Sequence, residues 1–430
     1  MKNYKWLIKN GYFLQNGQGR HGDILIDGDK IADIGMPLTK SSSDIRIINA
    51  EHKLVSYGLA DVHVHFREPG FSYKETIATG SRAAARGGYT TVCTMPNLNP
   101  APDSLRTLQV EQQLIDTNSI IGIKPFATIT MERKGEKLIN FKSMISHVVG
   151  FSDDGSGIQK GDIMEEAMRE VASLNGIIAA HCEDNSLLHG GYIHAGKYAA
   201  LHGHKGICSE SEWKQIARDI ELAERTGCHY HVCHISTKES VNIIRRAKQK
   251  GIHVTCETAP HYLVLTEDDL QEQGCFKMTP PLRTKEDQNA LIEGLQDGTI
   301  DCIATDHAPH STEEKSKGLA LSAMGIVGLE TAFPIIYSKL VRTGLITLER
   351  MLELMCISPR RIFQLGGKLQ AGNYADIAIF DLETPYIIDS NSFRSKGHCT
   401  PFNGWKVYGK CISTMYHGEI VWKESDNNNI

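Results

Sequence analysis

His63 and His65 stand one residue apart in the stretch DVHVHFREPG, after an apolar run that includes Leu54, Val55, Tyr57 and Leu59. Side chains two apart on an extended strand point the same way, so Asp61, His63, His65 and Arg67 are expected to share one face. Two imidazoles side by side suit a divalent transition metal better than they suit a packed core. The spacing alone fits a pair of hydrogen-bonded strand histidines equally well. Further ionisable residues end other apolar runs: Asp153 and Asp154 in GFSDDG, His181 in AAHCED, His234 in HVCHIS and Asp306 in ATDHAPH. Four histidines with two carboxylates are enough for two metals about 3.5–4 Å apart that share a hydroxide and a carboxylate. Such a centre lowers the pKa of water toward about 7, giving a nucleophile at neutral pH, and one carboxylate must stay free to move a proton. Imidazole favours zinc, although manganese, cobalt or iron also fits this donor set.

The elements that must gather these residues show as an alternation of strand-like and helical runs. Strand patterns lie at 54–65, 89–96, 120–129, 147–153, 177–183, 229–236, 252–258 and 300–306. Helical patterns lie at 74–87, 104–117, 162–175, 210–226, 237–250 and 286–297, with two more near 327–343 and 348–364. Repeated β-then-α units in these numbers predict an α/β fold, a parallel (β/α)8 TIM barrel with its active site at the C-terminal ends of the strands. The histidines and aspartates above then end the first, fourth, fifth, sixth and eighth strands. Ionisable groups at a barrel mouth are costly unless they coordinate something or do chemistry. His229 and His231 have the opposite parity to His234 and are expected to face the surrounding helices. The stretch 184–208, with four histidines, is expected to be an irregular loop that shapes the pocket. Residues 1–56 and 367–430 are both β-patterned, so the two termini are expected to build one sheet domain beside a barrel spanning 57–366.

Composition excludes several classes of function. The 430 residues carry 46 basic and 51 acidic side chains, a net charge of -5, with no basic stripe for nucleic acid. The N-terminus lacks the apolar core and cleavage site of a secretory signal, and no apolar run is long enough to cross a bilayer. A soluble cytoplasmic protein with no membrane contact is expected. Eleven cysteines, several inside apolar runs (Cys93, Cys233, Cys256, Cys302), read as buried free thiols of a reduced compartment rather than a disulfide framework. Cys228 and Cys233, with histidines between them, match no standard zinc-knuckle spacing.

The ordered motifs HxHxREPG, TMPN, SDDG, AHCED, HISTKES, ETAPHYL, PPLR and ATDHAPH resemble the bacterial dihydroorotases of the amidohydrolase superfamily over essentially the whole chain. That family interconverts N-carbamoyl-L-aspartate and dihydroorotate in pyrimidine biosynthesis. The resemblance implies a barrel with two zinc ions per subunit, flanked by a β-sandwich made from both termini. It makes His63 and His65 ligands of the more buried metal, and His181 and His234 ligands of the other. It makes Asp306 both a ligand and the proton shuttle. Hydantoinases bridge their metals with a carboxylated lysine at the end of the fourth strand; here an aspartate takes that place, Asp154 rather than Asp153. At the substrate the resemblance places His65, Arg67, Asn97 and His310, with Arg67 offering a planar fork to a carboxylate. Two departures fall in the same pocket. Thr279 stands where the family often has Asn, and Met324-Gly325 where it has Phe-Gly. A threonine cannot reproduce both amide hydrogen bonds. Competing readings are a hydantoinase, dihydropyrimidinase or allantoinase, or a silent subunit scaffolding aspartate transcarbamoylase. A homodimer and association with that transcarbamoylase both accord with the sequence.

Overall fold

The computed structural model describes residues 5–15, 18–35 and 45–424. Its centre is a closed parallel barrel. Leu59–Val64 pairs with Tyr89–Thr94, which pairs with Gly122–Pro125. The fourth staff is reduced to Phe151, bridged to Ala127 on one side and Ile178 on the other. Ile177–Ala180, His229–Val232, Val254–Thr258 and Cys302–Ile303 follow in parallel register. A bridge between Val64 and His307 closes the ring. The strand patterns at 147–153 and 300–306 are thus longer than the strands that form, because their last residues leave the ladder where the chain turns into the loops at the mouth.

Small and medium apolar side chains fill the barrel: Val62, Cys93, Met95, Phe126, Ala179 and Cys302 among them, with Ile362 and Phe363 packed into the same cluster. The helices outside are amphipathic. Lys238–Gln249, for example, buries Ser240, Val241, Ile244 and Ala247, one stripe at helical spacing. Thr76, Ser104, Thr237 and Thr284 cap the N-termini of four such helices with their hydroxyls, each worth about 1 kcal/mol.

The run 54–65 is not one strand. It divides at Gly58 into Lys53–Tyr57, which belongs to the terminal sheet, and the first barrel strand. A Cβ at Gly58 would lie 2.2 Å from the Thr90 side chain, so the chain can pass there only without one. Among the described residues the terminal sheet has eight strands: Lys5–Gln15, Gln18–Asp27, Lys30–Gly35, Ile45–Asn49, Lys53–Tyr57, Ile377–Asp381, Lys410–Tyr416 and Glu419–Lys423. The two ends of the chain meet where Ile377–Asp381 runs antiparallel to Lys53–Tyr57, with Ile379 opposite Val55.

Two expectations need correction here. Residues 184–208 are not wholly irregular. Ile193–His194 pairs with Gly206–Ile207 around a short helix, Lys197–His202, and the buried Arg283 anchors the pairing by donating to Ile207 O at 3.2 Å. The cysteines are not all free: Cys275 is bonded to Cys399 across 124 residues, while the other nine are free thiols. Sequence spacing could not reveal a pair brought together by the barrel's seventh loop and the C-terminal segment. No helix among the described residues is long and apolar enough to cross a membrane.

Candidate active site

At the C-terminal mouth of the barrel the Asp154 carboxylate lies among four imidazoles. Its Oδ1 is 3.3 Å from His63 Nε2, 3.7 Å from His234 Nε2 and 4.0 Å from His181 Nδ1; its Oδ2 is 3.6 Å from His65 Nε2. Asp306 Oδ1 lies 3.0 Å from His65 Nε2 and 3.6 Å from His63 Nε2. All six residues are buried. Asp153 is turned away. Its oxygens accept from the Ile129 and Thr130 amides and from the Thr130 hydroxyl, which pins the third loop to the fourth.

The donor atoms fit metal ions. His63, His65 and Asp154 form one trio, Asp154, His181 and His234 another, each with donors within 4.8 Å of one another, and the trios share Asp154. Four buried atoms in the cluster, His63 Nε2, Asp154 Oδ1, His181 Nε2 and His234 Nδ1, have no hydrogen-bond partner among the described residues. Leaving a buried polar atom unsatisfied costs about 1–3 kcal/mol, a penalty that coordination removes. Burial alone would push the Asp154 carboxyl up, but the His63 charge, with the His234 and His65 rings close by, holds it well below the usual carboxylate range. Burial likewise opposes ionisation of Asp306, and the His65 hydrogen bond overcomes it. Both carboxylates are therefore ionised, as ligands must be.

A buried carboxylate stands behind the cluster. Glu257 Oε1 is 2.7 Å from His63 Nδ1, so the imidazole donates from Nδ1 and presents Nε2 to the centre. The other Glu257 oxygen is 3.3 Å from His231 Nε2. Despite burial, the His63 charge and the His231 hydrogen bond lower the Glu257 pKa to about 2. Glu257 is the last residue but one of the seventh strand, in CET, so it too lies near a strand end. His231 therefore does not face the helices; its ring packs against Phe363 of the barrel plug at 4.9 Å. The parity argument failed because the strand ends at Val232, and His234 takes a left-handed φ of 34° that re-aims its side chain. Arg67 and Asp306 are left-handed too, with φ of 61° and 47°. Alternation thus stops just before the residues that matter.

Around the cluster the substrate-facing candidates are placed unequally. Arg67 is 8 % exposed; its Nε donates to Pro309 O at 3.3 Å, and its two Nη groups have no acceptor among the described residues. Burial lowers its pKa to about 10, still charged at neutral pH. Asn97 accepts from His65 Nδ1 at 2.9 Å, which leaves its amide NH2 free. His310 sits near Arg67, but its Nε2 donates to Met324 O at 2.7 Å and its Nδ1 lies 3.3 Å from Lys74 Nζ, so both ring nitrogens are engaged. Gly325, at φ 128°, passes Ala308 so closely that a Cβ would come within 2.7 Å of it. Thr279 donates to Glu183 Oε1 at 3.0 Å, and Glu183 Oε2 is 3.7 Å from His181 Nε2. Glu183 and Arg133, whose Nη1 donates to Asp154 O at 2.6 Å, are further neighbours that the strand-end pattern does not reach.

Comparison with known proteins agrees with this geometry. Residues 52–240 match the family model described as dihydro-orotase-like. The chain is 51 % identical over 420 residues to a dihydroorotase of Staphylococcus aureus (strain MRSA252), covering 97 % of this chain and 99 % of that protein. It is 50 % identical over 421 residues to one of Staphylococcus epidermidis, with the same coverage. Among solved structures, the L-hydantoinase (dihydropyrimidinase) of Arthrobacter aurescens superposes with a TM-score of 0.89 at 27 % identity, over 98 % of this chain and 97 % of that one. The buried His-Asp cluster at a barrel mouth, the terminal β-sandwich and this full-length similarity lead to one conclusion: the chain belongs to the dihydroorotase family of metal-dependent cyclic amidohydrolases.

Proposed function

We propose that this chain interconverts N-carbamoyl-L-aspartate and dihydroorotate in the cytoplasm, with two zinc ions as cofactor. In this reading His63, His65 and Asp306 would hold one ion and His181 and His234 the other, with Asp154 within reach of both sets. When bound, the metals supply Lewis-acid polarisation of a carbonyl and a lowered pKa for water. The chain's own residues do the rest. Glu257 fixes the His63 tautomer, and Asn97 fixes that of His65 through Nδ1. Asp306, next to His65 Nε2, accepts the proton of the attacking water and delivers it to the ring nitrogen as the C–N bond breaks. Ring closure reverses these transfers: the ureido nitrogen gives its proton to Asp306, and water leaves.

One observation carries the choice of substrate, the unpaired Arg67 fork beside the cluster. A guanidinium buried without a carboxylate partner needs one from the ligand. Dihydroorotate has a ring carboxylate; dihydrouracil is the same ring without it. The test is therefore to compare hydrolysis of the two. The proposal expects dihydroorotate to be turned over and dihydrouracil to be left essentially intact. Comparable kcat/KM for both would refute the role of Arg67 and return the chain to the hydantoinase-like reading.

A further inference from the structure

The bond between Cys275 and Cys399 brackets the eighth loop of the barrel, which carries His310, Met324 and Gly325. Cys275 lies in the turn Gly274–Phe276 of the seventh loop, and Cys399 in the segment beyond the sheet strand Ile377–Asp381. Each of these two arms holds the eighth loop separately. On the Cys275 side, Lys277 O accepts from the Gly325 amide and from Lys315 Nζ, both at 3.1 Å. On the Cys399 side, Cys399 O accepts from the Val327 amide at 3.1 Å. Gly397 packs so closely there that a Cβ would lie 2.8 Å from the Pro309 side chain and 2.9 Å from that of Val327. Pro309 O is in turn the acceptor for Arg67 Nε, and Met324 O the acceptor for His310 Nε2. Both arms thus stand directly behind the residues that meet the substrate.

The S–S bond is the direct tie between the arms, for no hydrogen bond or ion pair among the described residues joins 271–279 to 395–402. Its two cysteines are only partly buried, whereas eight of the nine free cysteines are buried. A reductant or oxidant in solvent therefore meets this pair ahead of nearly every other sulfur in the chain. In the reduced compartment expected for this protein, a disulfide is usually transient or redox-sensing rather than structural.

We infer that Cys275 and Cys399 form a reversible redox lock on the eighth loop, closed by oxidation and opened by reduction, which sets affinity for the substrate through Arg67 and its neighbours. The kinetic form of this inference rests on the proposed dihydroorotase reaction. To open the lock, a dithiol gives up two electrons and two protons and becomes a disulfide, while the bond between Cys275 and Cys399 breaks and each sulfur becomes a thiol. A small-molecule disulfide such as oxidised glutathione runs the exchange in reverse. With the bond broken each arm keeps its own contacts but the two can part, so part of the ordering of the loop is deferred to substrate binding.

The test compares zinc-loaded protein oxidised with glutathione disulfide and protein reduced with a water-soluble phosphine, which is removed by desalting under nitrogen. Reduction should raise KM for N-carbamoyl-L-aspartate and for dihydroorotate by roughly three- to tenfold, the cost of ordering about one long side chain on binding. Metal content and kcat should change little, and reoxidation should restore KM. Cys275→Ser should show the reduced KM in both states, and Cys399→Ser should do the same if the first variant folds poorly. Hydrogen exchange gives a reading without turnover: the Gly325 and Val327 amides should lose protection on reduction, while those of the strand His229–Val232 should not. Equal KM and equal exchange in the two states would overturn the inference, as would a serine variant that still responds to reductant, or oxidised protein in which all eleven cysteines titrate as thiols. A KM change matched by loss of metal would place the effect in the metal centre and overturn it too. If wild-type protein turned over neither substrate, the proposed reaction would fall, and exchange alone would decide the lock: protection lost on reduction keeps it, and unchanged protection removes it.

Discussion

Replacing Glu257 by Gln isolates the contribution of a charge that never touches the substrate. Glutamine has nearly the same shape, and its carbonyl oxygen can still accept from His63 Nδ1, now 2.7 Å from Glu257 Oε1. Its amide can face His231 Nε2, leaving His231 Nδ1 to donate to the Thr255 hydroxyl 2.8 Å away. What disappears is the carboxylate charge. A hydrogen bond to a charged group is worth about 1.5–3 kcal/mol and a neutral one about 0.5–1.5, so the difference is about 1–2 kcal/mol. If His63 is a ligand, that difference appears as a roughly 5- to 30-fold loss of metal affinity, overlapping the roughly 10- to 100-fold usual for residues that orient metal-bound histidines. Competition of the purified variant against a chromophoric chelator at fixed pH measures it. Denaturant unfolding of the metal-free protein separates this effect from general destabilisation. Unchanged metal affinity would refute the placement of Glu257 behind His63, as would a loss wholly matched by metal-free instability.

Other expectations follow from the same structure. Asp306→Asn should retain metal through the remaining ligands and lose nearly all turnover; substantial residual kcat would remove Asp306 as proton carrier. Arg67→Lys should raise KM sharply at unchanged metal content, since a single ammonium cannot make the forked contact, and an unaffected KM would take Arg67 out of the substrate site. Glu111 tests the electrostatics of the fold away from the mouth. It is buried with only the Thr94 hydroxyl on one oxygen, and burial raises its pKa from 4.5 to about 8. A raised carboxyl keeps its proton in the native state, so its contribution is whole below 4.5 and is lost as pH rises through about 8. At about 1.4 kcal/mol per pH unit, Glu111→Gln should raise stability by a few kcal/mol at alkaline pH and change it little near pH 5. Equal denaturation midpoints for variant and wild type at alkaline pH would contradict this.

The barrel and the His-Asp cluster at its mouth were legible because the fold imposes a rule that sequence can express: strands are apolar runs, and useful ionisable groups sit where the runs stop. His63, His65, Asp154, His181, His234 and Asp306 all obey it and converge. In the structure Thr130 engages Asp153 through its hydroxyl and its amide, while Asp154 is the one that lies among the imidazoles. Strand parity does not show such a long-range contact. His231 was misplaced by counting alternation through His234, whose left-handed backbone ends the alternation. Glu257 conformed to the rule but reads as one more strand residue until its contact with His63, 194 positions away in sequence, is seen. Arg133 and the Cys275 to Cys399 pair depend on loop paths, which carry no periodic signal.

The central claim is that two metals sharing Asp154 make this chain a ring-closing enzyme for a ureido dicarboxylate. Stepwise addition of zinc to metal-stripped protein, with turnover of N-carbamoyl-L-aspartate followed at each step, tests it most directly. Activity should climb to a plateau at two equivalents per chain, and Asp154→Ala should not reach it. Two equivalents bound without turnover would contradict the account, as would full activity in Asp154→Ala.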